Sequence, residues 1–570
     1  MAARPVSEAP RDFHARAMAA ERAGDRAGAG SIMEEGLAAQ PHDAALRNSA
    51  GSLAMRSDEA ARAEELFRSA IELEPANLEF AINLAIALDR QSRHGEAADL
   101  LVQRERAGAG VPRYWSVRGA AERAARRLAA AQTSYDRCLS LEPGHKRALH
   151  GRARVAIERG EADAHARFER ALTANPGEPD LWLGKAQALD VEGDAAGARR
   201  IMEQVVAQAP GYLEGLKFLA QLRLAAGEED FAAPYAEAAQ KLPADPRIPM
   251  AHTEILAGLD HAARAAQVAA EAAERFPGEP LFRFLEAVHA GSAGEDDRAE
   301  TIFASLELDT PERHLHEARH RIRRGEAERA EALLDAVSEV RPWSIEAWAL
   351  RGIAWRLAGD WRAQWLHGQE GLVQRLPLRG AADLPLRATA HLRVLHANSP
   401  LPLGQSLRGG TQTRGILFDR PDPVLAELRE AILLTIEDYR EHLPPYDEAH
   451  PLLRYRKDDM QLAGSWSVRL TGGGDHHTAH IHPQGIVSSA LYLVVPPDSA
   501  GEQQRGWLEV GRPPPDLRLD LPPLETIRPE PGFLALFPST LYHGTTPFGE
   551  AERVTVAFDA VPRQESRHER

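Results

Sequence analysis

Cysteine is nearly absent from this chain of 570 residues: Cys138 stands alone, so no intrachain disulfide and no multi-thiolate metal site can form. Long apolar runs are missing too. No window holds eighteen consecutive apolar residues, and the N-terminus Met1-Ala-Ala-Arg-Pro-Val-Ser lacks the apolar stretch of a secretory leader, so the cytoplasm is the expected compartment. Basic excess is lacking as well: 68 Lys and Arg against 84 Asp and Glu give a net charge of −16, which argues against nucleic acid or an anionic membrane as partner. Gly472-Gly-Gly474 has no following Lys-Ser/Thr and so is no phosphate loop; the glycines are expected to turn the chain into the next strand. No Gly-x-Ser-x-Gly elbow occurs, and Cys138 reads as a small buried hydrophobe.

What the chain does have is a period. Prolines recur at Pro41, Pro75, Pro112, Pro143, Pro176, Pro210, Pro243, Pro277, Pro311 and Pro342, at spacings of 31 to 37 residues. Ala63, Phe67 and Ala70 before Pro75 keep the same offsets as Ala131, Tyr135 and Cys138 before Pro143. Ala, Glu, Leu and Arg fill the spans between, as helices require. A spacing near 34 with small and aromatic packing positions resembles the tetratricopeptide repeat. That resemblance implies an all-α superhelix over 1–365, with a groove that receives a protein or peptide. Five of the nine tryptophans, Trp343, Trp348, Trp355, Trp361 and Trp365, are expected to cover the apolar end of such an array.

Within the array, His316-Glu-Ala-Arg-His320 matches the zinc-protease pattern H-E-x-x-H. It falls in the first helix of a repeat with no third ligand nearby, and a polar patch lining the groove is the better account. Residues 366–401 read as a connector. A helix is expected from about Pro423 to His442, on the apolar spacing of Val424-Leu-Ala-Glu-Leu-Arg-Glu-Ala-Ile-Leu-Leu434.

From about 461 the period shortens toward strands, in Ser465–Leu470, Ser488–Val495, Gly506–Val510, Gly532–Phe537 and Arg553–Phe558. Several short strands between Gly and Pro turns predict a β-sandwich or jelly roll over 402–563, with 564–570 as a disordered tail. The Pro-rich stretch from Arg512 to Pro523 reads as a surface loop. His480 and His482 sit two apart, so on a strand they share one face; His543 follows sixty-one residues after His482, and Arg553 ten later. Three imidazoles suit Fe, Zn, Cu or Ni and leave coordination positions open. Arg553 offers a planar cationic fork for a carboxylate, and Thr555 lies on the same face.

His480-x-His482, the run Pro531-Gly-Phe-Leu-Ala-Leu-Phe-Pro-Ser-Thr-Leu-Tyr-His543-Gly, Arg553-x-Thr555 and Gln405-Ser-Leu-Arg-Gly-Gly-Thr-Gln-Thr413 resemble the 2-oxoglutarate and Fe(II)-dependent oxygenases. The nearest likeness is to a bacterial group, some of whose members follow tetratricopeptide repeats. The resemblance implies an α+β multidomain chain: an all-α repeat superhelix followed by a double-stranded β-helix (jelly roll). It implies Fe(II) on His480, His482 and His543, and 2-oxoglutarate anchored by Arg553 with contacts from Tyr492 and Thr555. It also implies dioxygenase (hydroxylase) chemistry on a protein or peptide docked by the repeats. Most of the wider superfamily carries Asp or Glu where His482 stands, so either the site is a three-histidine variant or its set includes Asp475 or His477. A cupin-like metal enzyme without 2-oxoglutarate, and a non-catalytic scaffold, are the alternatives.

Overall fold

The computed structural model describes residues 10–397, 399, 407–472, 475–497 and 504–563. The tail expected over 564–570, the stretch 402–406 with Gln405 and Ser406 of the proposed N-terminal motif, and Gly473 and Gly474 lie outside the described residues. The chain divides into two compact units, Met1–Ala188 and Leu189–Arg570.

Twenty-three helices run between Pro10 and His367 among the described residues, most of them 13 or 14 residues long and paired across short turns. The periodic prolines mark the turns between successive pairs or open a helix, as Pro112 and Pro311 do. A proline continues no helix that precedes it, but fits the first turn of the next. A second period lies inside the pairs. Gly24, Asp58, Ser92, Arg126, Gly160, Gly193, Gly227, Asp260, Gly294, Gly325 and Gly359 all adopt positive φ, one at the turn within each pair.

Phe67, Tyr135 and Phe168 are buried at the aromatic packing position. The facing residue must be small: a Cβ on Gly184 would stand 2.1 Å from the Phe168 ring. Gly184→Ala therefore overpacks the pair and is expected to cost about 1–3 kcal/mol, read as a fall in melting temperature that Phe168→Leu partly restores.

The remaining helices and all strands belong to the second unit. The strands are β1 (Gln374–Pro377), β2 (Leu407–Arg408), β3 (Thr411–Gln412), β4 (Met460–Leu470), β5 (His476–His477), β6 (Val487–Val494), β7 (Leu508–Val510), β8 (Glu525–Ile527), β9 (Phe533–Pro538), β10 (His543–Thr545) and β11 (Arg553–Pro562). All pair antiparallel. Among the described residues they form a six-stranded sheet in the order β1-β9-β6-β11-β4-β3, a three-stranded sheet β10-β7-β8 and the pair β2-β5.

Alternation along β11 gives the large sheet two different faces. Val554, Val556, Phe558 and Ala560 join Leu491, Leu534 and Leu536 beneath the helices Leu384–His396 and Pro423–Glu441. On the other face Tyr492, Ala535 and Phe537 meet Leu508, Val510 and Ile527 of the small sheet, so the two sheets enclose a second apolar core.

Two expectations change here. The stretch 366–401 is more than a connector, because it supplies β1 and the helix Leu384–His396 to the large sheet and its core. The stretch 512–523 is no solvated loop: Leu517 is fully buried, in one cluster with Ala318, Ile322, Leu334, Leu350 and Tyr542. Ion pairs fix it. Arg319 forks onto Asp516, Arg518 reaches both oxygens of Asp296 at 2.6 and 2.7 Å, and Arg356 donates to the carbonyls of Gly511 and Pro522. A run of alternating Leu517, Leu519 and Leu521 has apolar surface to bury, and its charged neighbours find partners on the repeat helices.

The tryptophans also meet the strand-bearing part of the chain. Trp343, Trp348, Trp355 and Trp365 form a chain of ring contacts at 6.0 to 6.4 Å. The segment 447–454 lies on it: Trp365 Nε1 donates to Asp447 at 2.8 Å and the Arg454 guanidinium stands 3.4 Å over Trp343. Trp361 is the exception and is 74% exposed. No helix among the described residues is long and apolar enough to cross a membrane.

Candidate metal centre

His480 and His543 come together through the backbone. They form an isolated antiparallel bridge, with the His480 amide donating to the His543 carbonyl at 3.0 Å and the reverse bond at 2.9 Å. Residues directly opposite in such a pair project on one side, which places both rings together although 63 positions separate them. Gly544 permits it: a Cβ there would lie 2.9 Å from the His477 carbonyl oxygen. His482 lies two residues past His480, outside any regular strand. The three ring centroids are 4.4, 4.8 and 4.9 Å apart.

The hydrogen bonds fix which nitrogen of each ring faces inward. His480 Nδ1 lies 2.8 Å from the Thr478 carbonyl, His543 Nδ1 3.2 Å from the Leu541 carbonyl, and His482 Nδ1 2.6 Å from Asp559 Oδ1. Carbonyl and carboxylate oxygens only accept, so each Nδ1 carries a proton, and Nε2 is the nitrogen each ring has left to offer a metal. The Nε2 atoms of His480 and His482 are 3.0 Å apart. Two imidazoles bound to one metal at about 2.1 Å near a right angle would stand ~3 Å apart, the separation found here. Ligand atoms of all three residues fall within 4.8 Å of one another. Burial, and then the neighbouring imidazoles, hold His543 well below the ordinary histidine range and hence neutral, the form that ligates a metal.

Asp559 is the residue that sequence reasoning missed. Its carboxylate accepts from His482 and from Ser488 Oγ at 3.3 Å, while Ser488 is bonded to Ser539 at 2.9 Å. It shares a face of β11 with Arg553 and Thr555, and the only hint in the sequence was an acidic residue at an even spacing in an apolar strand. A carboxylate behind a ligand histidine orients the ring and strengthens it as a donor.

Of the two alternatives to His482, Asp475 is engaged elsewhere, accepting from the Thr471 and Gly472 amides at 3.1 and 3.0 Å. His477 stacks on His480 with centroids 5.8 Å apart and stands outside the group of three. The His316–His320 motif is spent on packing. His320 Nε2 lies 3.0 Å from Glu300, Glu317 bridges Arg313 and Arg321, and His316 rests edge-on against Phe284.

Beside the histidines the inner face of the large sheet carries Arg553, Thr555 and Tyr492. Thr555 pairs with Tyr492 across β11 and β6, so their side chains share that face. Arg553 is buried, with its guanidinium 5.4 Å from the Tyr492 ring and one bond to the Gly506 carbonyl at 2.9 Å. No carboxylate pairs with it among the described residues, and burial pushes it below the ordinary arginine range. Tyr492 Oη is buried without a hydrogen-bond partner among the described residues. A buried cation and an orphan hydroxyl side by side are what a carboxylate ligand would satisfy. Phe537 connects the two halves, packing with Tyr492 and lying 4.7 Å from the His543 ring.

Residues 464–559 match the family model described as putative 2OG-Fe(II) oxygenase, and residues 54–121 and 162–222 match that of the tetratricopeptide repeat. No curated protein matches the chain. Among solved structures, pilF of Pseudomonas aeruginosa is 18% identical and aligns over 37% of this chain and 97% of its own, with a TM-score of 0.34. PilW, a widely conserved type IV pilus biogenesis factor, is 19% identical over 38% of this chain and 100% of its own, with a TM-score of 0.35. YrrB, described as a TPR protein with an unusual peptide-binding site, is 16% identical over 32% of this chain and 95% of its own, with a TM-score of 0.28. The chain thus joins tetratricopeptide repeats to a C-terminal antiparallel β-sheet domain similar to the 2-oxoglutarate and Fe(II)-dependent oxygenases.

Proposed function

We propose that the chain is a 2-oxoglutarate-dependent dioxygenase that hydroxylates a protein or peptide held by its repeats. The observation that carries this reading is the convergence of three imidazoles, each with its Nδ1 bonded to an oxygen acceptor, next to a buried guanidinium that pairs with no carboxylate among the described residues. A cupin-like enzyme without an oxoacid leaves Arg553 and Tyr492 without a task, and a non-catalytic scaffold leaves the histidines without one.

In this reading His480, His482 and His543 would hold Fe(II), which when bound would activate dioxygen so that 2-oxoglutarate and a substrate C–H are oxidised to succinate, carbon dioxide and the C–OH product, one oxygen atom going to succinate and one to the product. The chain's own residues do the positioning. Arg553 forks onto the far carboxylate of 2-oxoglutarate, Tyr492 Oη donates to it, and Thr555 adds its hydroxyl from the same face. Phe537, Leu508 and Val510 keep water from that pocket, which strengthens the ion pair. Asp559 holds the His482 ring in place and offsets part of the charge that a third neutral ligand leaves on the metal.

Asp559→Asn tests that last role. It keeps the shape and removes the charge, and is expected to weaken Fe(II) by about 10–100-fold, measured by competition with a chromophoric chelator under anaerobic conditions. An unchanged iron affinity would deny Asp559 the role. The reading as a whole is tested by succinate formed from 2-oxoglutarate in air with Fe(II) present; no succinate under any peptide supply would remove it.

A further inference from the structure

His480 also lines a cavity of about 400 Å³ whose opposite wall belongs to the repeats. The helices Pro311–Arg323 and Ile345–Ala358 contribute Leu315, Arg319, Glu346 and Leu350, and the segments 478–481 and 514–516 face them with Ile481 and Asp516. The volume is within the range of small ligand pockets. Resting on the reading of the histidines as a metal centre, we infer that this cavity receives a lysine or arginine side chain of the substrate peptide, with Glu346 as the residue that selects it.

The charges point that way. Asp260, Glu346 and Asp516 line the cavity against the single guanidinium of Arg319, while His316 is held neutral by burial, at a pKa of about 4. Arg319 is already satisfied. It pairs with Asp516 through Nε at 2.8 Å and through Nη2, and donates to Tyr542 Oη at 3.0 Å. Glu346 has no hydrogen bond or ion pair among the described residues. Of the basic groups that face it, Arg341 is bound to Glu312 at 2.6 Å and Arg319 to Asp516. Burial raises the Glu346 carboxyl above its ordinary value, as for an acid without sufficient counter-charge.

The rest of the wall suits the stem of such a side chain. Leu315, Leu350 and Ile481 add apolar surface to the cavity that Glu346 and His480 both line. Lysine and arginine bury their methylenes on apolar surface while the charged head finds a carboxylate. A neutral side chain would leave Glu346 desolvated and uncompensated, and an acidic one would be repelled.

The test is fluorescence anisotropy of labelled nonapeptide pools on the full-length chain, with the central residue fixed as Lys, Arg, Gln or Glu and all others random. The Lys and Arg pools are expected to bind at least about tenfold tighter than the Gln pool. Glu346→Gln is expected to remove that preference and Glu346→Asp to retain it. The exposed Glu339→Gln, which leaves the Arg341–Glu312 pair in place, makes the same change in net charge and should leave the preference intact, which separates the cavity from the chain's overall acidity. Equal binding of Lys and Gln pools to the unaltered chain, or a preference that survives Glu346→Gln, overturns the inference, and the first comparison needs no variant to fold. A chain that forms succinate yet shows no charge preference loses this inference alone. One that prefers basic pools but binds no iron keeps the cavity's selectivity and loses the oxygenase reading.

Discussion

His543→Ala is expected to lower Fe(II) affinity by more than about 100-fold, since even residues behind metal ligands typically contribute 10–100-fold. Turnover of 2-oxoglutarate should fall to background with it. The size of the effect follows from the geometry. His543 is the ligand delivered from the distant strand β10, and removing it leaves only the neighbours His480 and His482, whose Nε2 atoms are 3.0 Å apart. The ring is buried and its backbone is bonded in both directions to His480, so the variant should keep its fold, and a melting curve checks this. His480→Ala should behave likewise. Retention of tight iron binding by the His543 variant would mean that the metal, if any, sits elsewhere.

Arg553→Ala is expected to separate the two ligands. Iron affinity should stay within a few-fold of the unaltered chain, because Arg553 touches no histidine nitrogen. The affinity for 2-oxoglutarate should fall by about 100-fold or more, as two charge-assisted hydrogen bonds are lost from a buried site and each contributes roughly 1.5–3 kcal/mol. Arg553→Lys keeps the charge without the planar fork and should recover only part of the loss. Succinate formation at rising 2-oxoglutarate separates weak binding from lost chemistry: the Ala variant should be driven by excess cosubstrate. Equal loss of iron and 2-oxoglutarate would contradict the role given to Arg553.

Much of this arrangement was written in local pattern. The repeat prolines announce the turns because a proline is incompatible with the helix before it, and the helix expected from Pro423 runs Pro423–Glu441. The long strands β4, β6, β9 and β11 were legible because a buried strand needs four to eight apolar or β-branched residues, which Val487–Val494 and Phe533–Pro538 supply. The short ones were not. β2, β3 and β5 have two residues each, too few to carry a period, and β1 reads Gln-Arg-Leu-Pro, with only Leu376 to pack inward.

The site divides in the same way. His480 and His482 stand out because they sit two apart, yet what joins them to His543 is a single bridge from the end of β10 to a residue outside every regular strand. Asp559 was invisible because its meaning depends on the register of β11 against β6, which sets it opposite Ser488 and below His482. The docking of 512–523 on the repeats was hidden for a related reason. Its prolines mark irregular backbone, and irregular backbone is ordinarily solvated; only the three-dimensional pairing of Asp516 with Arg319 and of Arg518 with Asp296 shows what holds it.

The central claim is that three histidines hold one iron with room beside it for 2-oxoglutarate on Arg553. Anaerobic titration of the metal-free chain with Fe(II), followed by 2-oxoglutarate, tests it most directly. The account predicts one iron bound per chain, a weak visible charge-transfer band that appears only after 2-oxoglutarate is added, and succinate once air is admitted. No band and no succinate, with the fold intact, would contradict it.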